Sequence, residues 1–142
     1  MIMNGQKPIL LVEDDEVDIM TIQRALKDLK VTNSLEVTLN GEEALDYLKN
    51  PNKAKPCIIL LDINMPRMNG IEFLKERSKD GGMKRIPVVV LTSSKEEQDM
   101  VQSFSLGVAG YMVKPVDYKQ FVETIRVIDL YWTLSQFPSN IL

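Results

Sequence analysis

With 142 residues, 44% of them hydrophobic and 26% charged, the chain is sized for one domain around a sizeable core. A formal net charge of −3 gives no reason to expect nucleic acid as a partner, and no apolar stretch approaches the length of a membrane span. The single cysteine excludes a disulfide framework, and the absence of histidine excludes a Ser-His-Asp triad, a Cys-His pair and every histidine-based zinc site. Residues 1–7 lack the apolar stretch of a signal peptide, so a cytoplasmic location is expected.

Strand-like and helix-like segments alternate five times. Ile9–Val12 is a short apolar run ending in Glu13-Asp14-Asp15. A helix is predicted from Glu16 to about Lys30, with Val17, Met20, Leu26 and Leu29 on its apolar stripe. Leu35–Leu39 alternates like a strand. Asn40 with Glu43 caps a second helix, whose apolar face is Ala44, Leu45 and Leu48, and Asn50-Pro51 closes it. The third strand, Ile58–Leu61, belongs to an apolar run that begins at Cys57 and ends at Asp62. Such a run reads as a strand buried on both faces. Gly70 to about Lys79 is helical, and Gly81-Gly82 ends it. Ile86–Leu91 is the fourth strand and delivers Thr92-Ser93. Ser94 and Glu97 cap a fourth helix running to about Leu106, with Gly107 after it. Val108–Val113 is the fifth strand and delivers Lys114-Pro115. Asp117 and Gln120 cap a last helix that continues to about Ser135.

Repeated βα units predict an α/β fold, a five-stranded doubly wound parallel sheet with helices on both faces. Domains of this kind commonly have strand order 2-1-3-4-5, flavodoxin-like, with a crevice where strands 1 and 3 part. The expectation is one domain over 1–142, its core about 8–136, with no output domain after the last helix.

In that topology the ends of strands 1, 3, 4 and 5 share a rim. It holds Glu13, Asp14, Asp15 and Asp62, the hydroxyls of Thr92 and Ser93, and the ammonium of Lys114. Crowded carboxylates repel unless a cation enters. Oxygen-only ligands at an open crevice suit Mg²⁺, or Mn²⁺, shared with a phosphate. A metal and a lysine together suit a phosphoryl group carried on Asp62. Each residue also has a plainer role open to it. Asp15, Thr92 and Ser93 could serve as helix caps, Lys114 as a solvated surface lysine, and Met65-Pro66 as an ordinary turn. Those plainer roles would have to hold independently at four strand ends.

The motifs Glu13-Asp14, Asp62-x-x-Met65-Pro66-x-x-x-Gly70, Thr92 and Lys114-Pro115 together resemble the response-regulator receiver domain of bacterial two-component signalling. The resemblance runs from Pro8 to about Ser135. The ending, with Tyr131-Trp132 and Phe137-Pro138, is similar to that of single-domain regulators paired with phytochrome-like kinases. The resemblance implies that Asp62 is the phosphoacceptor, taking a phosphoryl group from the phosphohistidine of a sensor histidine kinase. It implies that Asp14, Glu13, Asp62 and the backbone carbonyl of Asn64 hold the metal. Thr92 and Lys114 then contact phosphoryl oxygens, Lys114–Pro115 is a cis peptide, and Tyr111 is the aromatic switch. The switched surface is the fourth helix, fifth strand and last helix. A one-residue slip would give the metal roles to Asp14-Asp15. Glu13-Asp14 is preferred because Val12 then remains the last apolar strand residue and Asp15 is free to cap.

The last helix carries two apolar stripes, Phe121, Ile125, Ile128 and Trp132, and Val127, Tyr131 and Leu134, widened by Val122 and Leu130. The second stripe predicts a homodimer through this helix. The output is then a protein contact, a phosphotransfer protein or a change in dimerisation, with neither nucleic acid nor membrane as partner. Three other readings compete. A haloacid-dehalogenase-type phosphohydrolase needs an acid at position 64, where Asn64 stands. A flavin carrier needs a phosphate-cradling loop where Glu13-Asp14-Asp15 stands. A degenerate receiver used only for binding would not keep every chemical position filled.

Overall fold

The computed structural model describes residues 7–117, 119–124 and 126–127. Five strands form a parallel sheet, β1 (Ile9–Val12), β2 (Leu35–Thr38), β3 (Ile58–Asp62), β4 (Val88–Thr92) and β5 (Gly110–Val113), in the order β2-β1-β3-β4-β5. Between them lie α1 (Glu16–Asp28), α2 (Gly41–Lys49), α3 (Gly70–Arg77), a single-turn α4 (Gly81–Lys84) and α5 (Lys95–Ser103). A further helix, α6, follows β5, with residues 119–124 and 126–127 helical.

The strand residues are apolar at consecutive positions because both sheet faces are covered. Alternate side chains point to opposite faces. Ile9, Leu11, Ile58, Leu60, Val89 and Leu91 pack against Ile22, Leu26 and Leu29 of the α1 side and Phe121 of α6. Leu10, Val12, Ile59, Leu61, Val88 and Val90 pack against Leu48 of α2, Phe73 and Leu74 of α3 and Val101 of α5. Each such fully buried side chain contributes roughly 1.5–3 kcal/mol relative to exposure, which makes the central strands the rigid base of the rim.

The elements differ from the sequence expectations in instructive places. Val17 and Met20 are 70% and 57% exposed, so they do not belong to the inner stripe of α1. Ile22, Ala25 and Leu26 are the buried residues, with Leu29 at the cap. At about 100° per residue Val17 and Met20 stand roughly 140–160° away from Ile22. Gly81-Gly82 does not end α3. That helix stops at Ser78, and Asp80 then caps α4 by accepting from the Gly82 and Met83 amides at 2.9 and 3.0 Å. β4 begins at Val88 rather than Ile86, after Pro87, which has no N–H to give a ladder. Gly107 does follow α5 with φ +72°, a left-handed conformation that glycine adopts without strain. Of the apolar stripes assigned to the last helix, Phe121 is fully buried, Val122 packs at the core margin and Val127 is 65% exposed. Ile125, Ile128, Leu130, Tyr131, Trp132, Leu134, Phe137 and Pro138 lie outside the described residues.

Candidate functional site

Parallel pairing brings four strand ends to one rim. Beyond β1, the Glu13 amide still donates to the Thr38 carbonyl at 2.9 Å, so Glu13 remains in the sheet and is fully buried, while Asp14 is exposed. Asp62 is the last residue of β3 and is 4% exposed. Thr92 closes β4, is fully buried, and its hydroxyl donates to the Met112 carbonyl at 3.4 Å. The Lys114 amide donates to the Thr92 carbonyl at 2.8 Å, and the Lys114–Pro115 peptide is cis. Gln120 clasps this turn: its Oε1 accepts from the Val113 amide at 2.9 Å, and its Nε2 donates to the Val113 carbonyl at 3.0 Å.

Three carboxylates converge on the Lys114 ammonium. Nζ lies 2.8 Å from Asp62 Oδ1, 2.9 Å from Asp18 Oδ2 and 3.1 Å from Glu13 Oε1. Glu13, Asp14, Asp18 and Asp62 set against one ammonium leave a formal excess of negative charge. The structure shows how the cluster bears it. Burial, reinforced by the neighbouring Asp62 charge, pushes the Glu13 carboxyl up to about 8. Burial works against the Lys114 ammonium, but hydrogen bonds to Asp62 and Asp18 and the charges of Asp62 and Glu13 outweigh it, holding its pKa above the ordinary lysine value. Burial also acts to raise Asp18, yet hydrogen bonds with Lys114 and Glu13 prevail and lower it. Burial thus favours the neutral form of the most buried carboxyl, and a divalent cation among these oxygens would oppose that shift.

The donor set fits such a cation. One carboxylate oxygen each from Glu13, Asp14 and Asp62 lie within 4.8 Å of one another. Asp15 is occupied elsewhere, capping α1 by accepting from the Val17 and Asp18 amides at 2.8 and 3.0 Å. Asp15 thus acts as the helix cap expected of it, while Glu13 and Asp14 are the acidic residues after β1 that lie beside Asp62.

The turn after β3 is drawn tight against the site. The Gly70 amide donates to the Ile63 carbonyl at 3.0 Å. A Cβ on Gly70 would stand 2.5 Å from the Asp62 carbonyl oxygen, so only glycine permits this approach. Asn64 Nδ2 donates to Glu97 Oε2 at 2.9 Å, and the Ser93 amide donates to Glu97 Oε1 at 2.9 Å, joining the β3 and β4 turns through α5. Tyr111, on β5, is half-buried beside Val90 in the sheet register, and burial raises its phenol pKa.

Glu13, Asp14, Asp62, Thr92 and Lys114 therefore meet at one rim, with Asn64 in the adjoining turn. Sequence reasoning missed Asp18. Its signal was available: an acidic residue in the first turn of a helix that starts directly over the rim. Glu97 was read only as a capping residue, whereas it also ties Asn64 to the β4 turn. Arg77 was missed too. It is 2% exposed, and its guanidinium donates to the carbonyls of Leu106, Lys84 and Ile86 at 3.3, 3.0 and 2.9 Å, fastening the far end of α3 to the chain around β4.

Residues 9–126 match the response regulator receiver domain family, a span that includes every rim residue. The chain is a member of that family. Among receiver domains it is similar to Response regulator Rcp1 of Synechocystis sp., 36% identical over 133 residues, which cover 91% of this chain and 90% of that one. Its structure resembles that of the bacteriophytochrome response regulator RtBRR, with 44% identity and a TM-score of 0.81, covering 86% of this chain and 77% of that one. It also resembles the phosphorylated cyanobacterial phytochrome response regulator RcpA, with 37% identity and a TM-score of 0.73 over 92% and 96% of the two chains. Rcp1 itself has been solved in an Mn²⁺-bound form. Receiver domains interact with histidine kinases and phosphotransfer partners, and this chain has the receiver fold with phytochrome-associated regulators among its relatives.

Proposed function

We propose that this receiver domain takes a phosphoryl group from a sensor histidine kinase onto Asp62 and signals through the surface formed by α5, β5 and α6. One observation carries the reading. Asp62 is a nearly buried carboxylate at the end of a central strand, 2.8 Å from the Lys114 ammonium and beside Glu13 and Asp14. A lone buried carboxylate is costly; this one lies beside an ammonium and beside carboxylates that could hold a divalent cation, and the two cations together would offset added negative charge.

In the proposed reaction an Asp62 carboxylate oxygen attacks the phosphorus of a kinase phosphohistidine. The P–N bond breaks, its electron pair returns to the imidazole, and an acyl phosphate remains on Asp62. Glu13, Asp14, Asp62 and the Asn64 carbonyl would hold Mg²⁺, which would supply charge neutralisation for the phosphoryl oxygens. Lys114 exchanges its Asp62 contact for a phosphoryl oxygen, and Thr92 turns its hydroxyl from the Met112 carbonyl toward another. The placement of Thr92 at the end of β4 and of the half-buried Tyr111 on the neighbouring β5 supports a switch in which a shift of Thr92 is followed by the Tyr111 ring. The added group brings about two negative charges, so its contacts differ between the two arrangements and shift their populations.

Catalysis here is confined to the protein's own phosphorylation and dephosphorylation. Asn64 stands where a phosphohydrolase of related chemistry would need an acid, and an amide has no acidic proton to give. The likeness to Rcp1, RtBRR and RcpA supports a phytochrome-like kinase as donor. The exposed Met100, Val113 and Val127 on α5, β5 and α6 support a homodimer or a downstream protein contact at that surface. A cytoplasmic location follows from the proposed kinase partner. Among the described residues no helix is long and apolar enough to cross a membrane. The test is phosphorylation by labelled acetyl phosphate with Mg²⁺. Asp62→Asn is expected to take up no label, and uptake equal to that of the parent protein would overturn the assignment.

A further inference from the structure

We infer that Asp18 is a positioning residue that keeps the Lys114 ammonium at the rim once Glu13 and Asp62 are committed to a divalent cation. This inference rests on the reading of Asp62 as phosphoacceptor. Lys114 has three carboxylate partners, Asp62 at 2.8 Å, Asp18 at 2.9 Å and Glu13 at 3.1 Å. Two of the three belong to the acidic cluster able to hold a cation, which comprises Glu13, Asp14 and Asp62. Asp18 stands outside that cluster.

A cation held by Glu13 and Asp62 engages the oxygens that Lys114 now contacts, and like charge repels the ammonium. Lysine reaches the rim on a flexible four-carbon stem, so its backbone alone does not hold Nζ in place. Asp18 is then the remaining carboxylate partner of Lys114. It is well placed for this: α1 fixes its backbone, with its amide donating to the Asp15 cap at 3.0 Å. The side chains of Asp18 and Lys114 are 27% and 17% exposed, so solvent only partly screens the pair. When Asp62 attacks acetyl phosphate, the bond from phosphorus to the acetate oxygen breaks and acetate leaves with the electron pair. An ammonium retained by Asp18 is already beside the oxygens of the transferred group. A plainer role for Asp18 is a favourable charge in the first turn of α1. That role makes no reference to Lys114, and the two separate in a double-mutant cycle.

The experiment compares the parent protein, Asp18→Asn, Lys114→Met and the double variant, each labelled from acetyl phosphate at saturating Mg²⁺. Asp18→Asn is expected to slow labelling about tenfold in the parent background and to have no further effect beside Lys114→Met. The second readout is the Lys114 ammonium resonance in protein labelled with ¹⁵N-lysine. It should persist on addition of Mg²⁺ in the parent and be lost to solvent exchange in Asp18→Asn. Equal slowing in both backgrounds, or an ammonium resonance that survives Mg²⁺ in Asp18→Asn, would overturn the inference. Parent-like labelling of Asp18→Asn while Asp62→Asn stays unlabelled would sink this inference alone. Labelling of Asp62→Asn would sink the reading on which it stands.

Discussion

The two ends of the sheet are built from the same five strands and carry opposite chemistry. At the carboxyl ends, Glu13, Asp18, Asp62 and Lys114 are buried or half-buried and joined by contacts of 2.8–3.2 Å. At the amino ends lies a cavity of about 550 Å³, floored by the buried Leu48, Met83 and Ile86 and rimmed by Lys7, Lys49, Lys55 and Arg85. Those four cations are exposed, and the one carboxylate beside them, Asp80, is engaged as the cap of α4. The charges around this hollow are therefore solvated, whereas those at the other end are in contact. Reactivity follows desolvation and mutual contact of charges rather than volume, because solvent screens exposed charges and burial does not.

Removing a lysine from each end breaks this comparison most directly. Lys114→Met should slow labelling from acetyl phosphate about a hundredfold, the loss of one charge-stabilising donor. Lys49→Met and Lys55→Met should leave the rate within about twofold, since neither touches the acidic rim. A comparable loss at both ends would mean that general attraction of the phosphate donor, rather than the buried contact, sets the rate.

The pH dependence of stability sharpens the same point. The Glu13 carboxyl is raised in the folded protein from 4.5 to about 8, so the folded state binds this proton more tightly than the unfolded chain. Its contribution is fully present below about pH 4.5 and is lost as pH rises toward 8. For the cation-free protein the loss is on the order of 5 kcal/mol. Urea unfolding across that range should show the decline, and Mg²⁺ should offset it increasingly as pH rises, because binding displaces the proton. A stability flat between pH 5 and 8 without divalent cations would show that Glu13 is already ionised.

Gly70→Ala should cost about 2 kcal/mol by overpacking, since its Cβ would press on the Asp62 carbonyl. Urea unfolding measures this, and a cost near zero would mean that the β3 turn yields. The smallest effect belongs to the other rim. Replacing Lys7, Lys49 or Arg85 singly with Gln should change stability by no more than about 0.5 kcal/mol. A larger change would mean that the basic rim is structurally coupled after all.

Much of this was legible beforehand because buried parallel strands announce themselves as short apolar runs. Ile9–Val12 was placed to the residue, and Asp62, Thr92 and Lys114 stand at or just after the ends of β3, β4 and β5 as expected. Caps were equally legible, since Asp15, Asn40 and Ser94 act on amides two or three residues away. The α1 stripe was misread because Val17 and Met20 are apolar yet face outward, and periodicity does not reveal which of two apolar sides meets the sheet. Gly81-Gly82 was misread because the Asp80 side chain stabilises a new turn where glycine usually ends one.

By itself the sequence determined the alternation of strands and helices, the residue types at each strand end and the receiver family, since these depend on local pattern and motif spacing; the strand order was expected from the habit of such folds. Tertiary structure alone decided which charges meet. Lys114 and Glu13 are 101 residues apart and Lys114 and Asp18 are 96 apart, yet all three groups share a few ångströms. The upward shift of the Glu13 carboxyl and the attachment of Asp18 to Lys114 both arise from that convergence. Burial and distance set the strength of a charge's interactions, and both are properties of the folded chain.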